Sequence, residues 1–197
     1  MKRRLVMAAV IMAVMTGVPD AEAGAGTDDA LTARVAEIRP ELKRFATMLK
    51  KELQQAMKSG GPLKAIEVCN GRAPEIAARI SEDTGWEVGR TSLKWRNPDN
   101  EPDAWERKVL ESFEKRRAGG ESPQAIDYAE VVARDGRRFL RYMKAIPTGK
   151  VCLACHGSNI DPAVRARLDE FYPDDRARGF SIGDIRGAFT VSRPIQE

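Results

Sequence analysis

The segment "GKVCLACHGSN" sets two cysteines three residues apart, directly before a histidine: Cys152, Cys155 and His156. This is the C-x-x-C-H pattern of c-type haem attachment. Each thiol adds to one vinyl group of the porphyrin, and the adjacent imidazole reaches the iron from the same side. Two other chemistries draw on the same residue types. Together with Cys69, the remaining cysteine, the motif offers zinc three thiolates and one imidazole. Ligation of one small tetrahedral ion by the neighbours Cys155 and His156 is awkward, however. Disulfide exchange needs C-x-x-C at the start of a helix, after a strand, in a βαβ setting. No such setting surrounds this motif, so haem attachment is the expectation.

An iron held in this way takes a second axial ligand from elsewhere in the chain. His156 is the only histidine, which excludes a bis-histidine pair within one chain. Once a leader is removed, three methionines remain, Met48, Met57 and Met143. Met48 and Met57 flank or join a helical stripe and Met143 falls in a strand, so core packing accounts for each. Cys69 has no disulfide partner in the chain if Cys152 and Cys155 form thioethers. Ligation there stands beside two plainer readings, a buried free thiol and an intermolecular disulfide. Arg90, Lys94 and Arg96 cluster after the first expected strand and suit the anionic propionates of a haem, or else form a solvated basic edge. No nucleophile stands beside a base and no Ser or Asp cluster is evident, so no enzymatic activity is expected. Trp86, Trp95 and Trp105 read as packing residues, and Tyr172-Pro173-Asp174-Asp175 as a turn closing a short helix.

The N-terminus addresses the chain to the compartment in which haem c is made. Lys2, Arg3 and Arg4 precede the apolar run Leu5 to Met15, and Ala21-Glu22-Ala23 supplies a small-x-small cleavage site. Residues 1–23 therefore read as a secretory signal peptide and residues 24–197 as one domain. The apolar run is shorter than the roughly 18 residues a spanning helix needs, so no stable membrane insertion is expected after cleavage. The protein is expected in the periplasm. Loss of the leader removes three basic and two acidic side chains, lowering the net charge from +4 to +3. That small charge, with no basic cluster interleaved with aromatics, gives no reason to expect nucleic-acid binding.

The elements that must position these residues follow from periodicity. Asp28 and Asp29 are placed to cap a helix carrying Leu31, Val35, Ile38, Leu42, Phe45, Leu49 and Leu53 on one face. Pro40 predicts a kink or break within it. Gly60-Gly61 predicts its end, Pro62 the start of a short helix reaching Cys69, and Pro74 the start of another reaching about Asp83. Strands are expected around Trp86–Leu93, Ile126–Val132, Arg137–Ile146 and Asp184–Arg193. Helices are expected in "DAWERKVLESFEKRRAGG" and "DPAVRARLDEFYP". The two middle strands read as a hairpin turning at "ARDG", and the long N-terminal helix should lie against the sheet or alongside the haem. The order argues for an α+β domain.

Four segments carry a resemblance: "AIEVCNGRAPEIA", "GWEVGRTSLKWRNPDNEPDAWE", "CLACHG" and "YPDDRARGFSIGDIRGAFTV". From about Ile38 to Val191 the chain resembles the PAS-like haem c domain family, long catalogued as a domain of unknown function and also found as the sensory part of some membrane histidine kinases. The resemblance implies a PAS-like antiparallel sheet with flanking helices and one covalent haem c. It also implies axial ligation by the motif histidine and a cysteine thiolate, here His156 and Cys69. Such a protein is expected to carry electrons or sense redox state with an unidentified redox or signalling partner, as a monomer or homodimer. The alternative is a gas sensor in which CO or NO displaces Cys69. An anionic donor favours ferric iron, so a low potential is expected.

Overall fold

The computed structural model describes residues 25–195. Its elements run α1 (Ala25–Thr84), β1 (Glu87–Thr91), α2 (Ala104–Ala118), β2 (Asp127–Arg134), β3 (Arg137–Pro147), α3 (Leu153–His156), α4 (Pro162–Phe171) and β4 (Ile185–Pro194). The expected leader, residues 1–23, lies outside the described residues.

Helix α1 is a hairpin of two limbs. Its backbone leaves helical geometry only at Gly60 and Gly61, the latter with φ 65° and ψ −158°, a conformation essentially restricted to glycine. The limbs then run back along each other. Phe45 packs on Ile76 and Ile80, Arg44 pairs with Asp83, and Arg72 lies near Glu52. The expected reversal at the glycines is present, but three boundaries need correction. Helical backbone is described from Ala25 onward, so Asp28 and Asp29 lie inside the helix rather than capping it, and it runs unbroken through both Pro40 and Pro74. The segments expected as separate helices, Pro62 to Cys69 and Pro74 to Asp83, form one continuous limb. A proline removes the amide that would bond to the carbonyl four residues earlier. Those carbonyls belong to Ala36 and Asn70, both exposed residues, where water can take the place of the lost donor.

The strands form one antiparallel sheet in the order β1-β4-β3-β2. All four lie where the alternation placed them, within a residue or two. The β2–β3 hairpin turns at Asp135 and Gly136, whose positive φ values of 52° and 73° suit a two-residue turn between twisted strands. Alternation divides the sheet into two faces. On one, Leu140, Tyr142 and Val191 receive Val35, Ile38 and Leu42 from the first limb of α1. On the other, Met143, Ala145, Ile185 and Ala188 receive Val109, Leu110 and Phe113 from α2. Each large side chain so buried contributes roughly 1.5–3 kcal/mol. Ion pairing also holds α2 in place. Arg141 on β3 donates to Asp103 and Glu106, Glu106 accepts from Thr190 at 2.7 Å, and the ring of Trp105 covers the Arg141 guanidinium.

The third packing unit holds the motif. The long connection from β3 to β4 contains α3 and α4, and α4 leans on the second limb of α1. Ile66 there meets Ile160, Val164, Leu168 and Tyr172, with Cys155 against the same cluster. An ion pair between Arg167 and Glu67, at 2.8 Å, closes the contact. Among the described residues no helix is long and apolar enough to cross a membrane.

Candidate functional site

Cys152 precedes the single turn of α3, and Cys155 and His156 end it. At helical spacing, Cys152 and Cys155 share one face of that turn. Cys152 Sγ accepts from the Gly149 amide at 3.3 Å. The His156 ring is oriented by the segment after α4, since Nδ1–H donates to the Ala177 carbonyl at 2.8 Å. That bond fixes the tautomer and leaves the lone pair on Nε2. Burial first, then the charges of Arg186 and Arg96, hold the imidazole well below its usual pKa, so it is neutral. A neutral ring with one nitrogen tied down is a poised metal ligand.

The segment 172–180 straps the motif down. The Phe180 amide donates to the His156 carbonyl at 2.9 Å, Gly179 to Gly157 at 3.1 Å, and Arg176 to Trp95 at 3.0 Å. Asp175 anchors the strap, its side chain only 1% exposed. It accepts from Arg96 Nε at 3.1 Å, from Arg178 Nε at 2.8 Å and from the Ala177 amide at 2.8 Å. Burial pushes the Asp175 carboxyl up, but the bonds from Arg96 and Arg178 outweigh it and hold the group below the ordinary range. Arg96 then reaches the Cys155 carbonyl at 2.6 Å. The turn expected at Tyr172–Asp175 is present, with the Asp175 amide donating to the Tyr172 carbonyl, and it also supplies the anchor that sequence reading missed.

Cys69 projects from the second limb of α1. It is an exposed residue, yet burial still pushes its thiol up, against the opposing pull of Arg90, Arg96 and Arg186. The same three guanidiniums bear on His156, and the charge of Cys69 bears on Cys155. Cys69 and His156 thus lie within electrostatic reach of the same three arginines, and Cys155 within reach of Cys69. They do not converge further: among the described residues no three His, Cys, Asp or Glu side chains gather around one metal-ion position, as a zinc set with Cys69 would require. Two concavities of about 460 and 240 Å³ open elsewhere, the first beside Arg34, Trp86 and Arg193 and the second beside Ser92, Lys94 and Phe180. Neither is lined by the motif residues.

The basic residues expected near the site have different surroundings. Arg96 is occupied by Asp175 and by main-chain carbonyls. Lys94 is exposed, with Nζ 5.2 Å from the centre of the Phe180 ring. Arg90 is half-buried and, among the described residues, donates to no protein acceptor. Arg186 on β4 was not anticipated. Its Nε lies 3.2 and 3.4 Å from the two ring nitrogens of His156. Nδ1 itself donates to Ala177, so the Arg186 Nε–H is directed at the imidazole ring, close to both of its nitrogens. The signal available was an arginine inside the apolar strand "DIRGAFTV". Of the other candidates, Met143 is fully buried in the sheet and Met48 packs beside Phe45.

A family model described as Tll0287-like matches residues 7–194. Among solved structures, the crystal structure of the cyanobacterial haem protein Tll0287 aligns with a TM-score of 0.65 at 26% identity, covering 84% of this chain and 98% of that one. A search of curated proteins found no match.

Proposed function

The chain belongs to the Tll0287-like family of PAS-like haem domains, and from that premise we propose that it is itself a haem-binding domain, of c type. One haem would be held by thioethers at Cys152 and Cys155, with His156 Nε2 and Cys69 Sγ as the donors offered to its iron. The protein is periplasmic, and it carries electrons to, or reports redox state to, a separate protein.

The donor set fits the group. Two thiols at helical spacing face one way beside a neutral imidazole whose second nitrogen is already tied to Ala177. The observation that carries the reading is the shared setting of Cys69 and His156, two iron-ligating residue types acted on by the same Arg90, Arg96 and Arg186. When bound, the haem supplies a one-electron iron couple. The protein's part is to orient His156 through the Ala177 carbonyl, to hold positive charge near Cys69 that opposes the effect of burial on its thiol, and to cover the motif with the 172–180 strap. The sole imidazole is engaged on both sides, which leaves no free base for acid–base catalysis and favours a carrier or sensor over an enzyme. The basic n-region, apolar run and Ala-x-Ala site of residues 1–23 support export.

Expression of the full chain with and without a cytochrome c maturation system tests this. Haem that stays with the polypeptide in acidic organic solvent, with the alkaline pyridine spectrum of a doubly thioether-linked haem, is expected only with the system present. Stoichiometric zinc and no haem would refute the reading.

A further inference from the structure

The site holds more positive charge than its own residues neutralise. The charges of Arg96 and Arg90 bear on Arg186, and all three bear on Cys69 and His156. Asp175 is the carboxylate bonded to this group, and it binds Arg96. Arg186 has two of its nitrogens committed: Nε lies on the His156 ring, and Nη1 donates to Ser92 Oγ and the Lys94 carbonyl, each at 3.2 Å. Among the described residues, neither its Nη2 nor any nitrogen of the Arg90 side chain has a protein acceptor. Burial, then repulsion from Arg96 and Arg90, pulls the Arg186 guanidinium down to about 9, still protonated at neutral pH. Burial likewise lowers Arg90. Both guanidiniums lack a carboxylate partner and keep nitrogens open to solvent, so an anionic group entering the site can take charge-assisted bonds from them.

The geometry of β4 is adapted to keep Arg186 there. A Cβ on Gly187 would lie 2.4 Å from the Thr91 carbonyl and 3.0 Å from Ser92 Cβ. Only glycine allows β1 to approach closely enough for Ser92 Oγ–H to reach the Arg186 carbonyl at 2.8 Å. The Arg186 side chain is therefore fixed at both its main chain and its guanidinium.

We propose that Arg186 and Arg90 form a two-guanidinium seat for the propionate carboxylates of the bound haem, with Arg186 joining that seat to the ring of His156. This rests on the haem reading above and changes its residue assignment. Arg186 enters, while Arg96 serves the Asp175 anchor and Lys94 stays at the rim.

The test uses the holoprotein carrying Arg186→Gln, Arg186→Lys, Arg90→Gln or, as a surface control of equal charge change, Arg165→Gln. A cation near the iron favours the reduced state. Arg186→Gln and Arg90→Gln should therefore each lower the potential by the equivalent of about tenfold in the ferric/ferrous equilibrium, about 59 mV for one electron. Arg186→Lys should restore most of the shift, and Arg165→Gln should leave the potential unchanged. Crystals of the wild-type holoprotein should place propionate oxygens within hydrogen-bond distance of both guanidiniums. Unchanged potentials in both Gln variants, or propionates turned to solvent away from Arg90 and Arg186, would overturn the seat while leaving covalent haem intact. Absence of haem from the wild-type protein would instead remove the reading beneath it.

Discussion

Cys69 and Asp175 carry the sharpest consequences at the scale of single residues. Cys69→Ser removes the proposed thiolate donor and leaves the attachment cysteines untouched. The ferric spectrum should move towards a weaker-field or high-spin form, the potential should rise, and CO should bind the ferrous protein more readily, while haem content stays the same. A wild-type ferric spectrum in the variant would transfer the ligand role to Met48 or Met57, since Met143 is sealed in the sheet. Asp175→Asn should destabilise the fold by about 3–5 kcal/mol, because it leaves Arg96, 11% exposed, without its buried counter-charge. Chemical denaturation at neutral pH measures this. The Asp175 pKa is depressed in the folded state, so its stabilisation is complete above the unfolded carboxyl pKa of about 3.9 and is lost as pH falls through the folded value. The wild type should therefore lose stability below about pH 4 more steeply than the Asn variant. Cys152, Cys155 and His156 were legible because their spacing is local. Asp175 and Arg186 were not, because their partners lie far away in sequence: Arg96 is 79 residues from Asp175, and Ser92 is 94 residues from Arg186.

Among the elements, the sheet was legible and the long helix only partly so. The four strands and the packing of the N-terminal helix on the sheet were expected, and alternation along the strands then divides the side chains that meet α1 from those that meet α2. Apart from the cap expected at Asp28 and Asp29, the misread boundaries concern proline inside a helix. Pro74 looks like a start signal because proline suits a first turn. Here the burial of Ile76 and Ile80 against Phe45 outweighs one lost hydrogen bond whose carbonyl belongs to the exposed residue Asn70. The result matters for the site, since a continuous limb from Pro62 to Thr84 is what carries Cys69 beside the α3–α4 connection. The reversal at Gly60-Gly61 sets that limb's direction. Gly61→Ala forces a side chain into a conformation that L residues rarely adopt, and should cost about 1–3 kcal/mol in a urea unfolding series. It should also loosen Cys69 in the holoprotein, seen as a ferric spectrum shifted towards that of Cys69→Ser. Unchanged stability and spectrum would mean that the hairpin does not depend on this turn.

In the whole molecule, two packed faces and a strapped connection divide the work. The α1 and α2 contacts with the sheet provide the core, and the β3–β4 connection, held by α4 and Asp175, presents the motif to the second limb of α1. The likeness to the haem protein Tll0287 spans both parts, covering 98% of that chain. The proposed role adds export and covalent attachment, and both alter the mass of the mature protein. Intact-mass measurement of protein recovered from the periplasm of cells with a cytochrome c maturation system is thus the most direct test of the central claim. The predicted mass is that of residues 24–197 plus one haem, unchanged by acidic extraction. A mass equal to the polypeptide alone, under conditions in which a control cytochrome c acquires its haem, would contradict it.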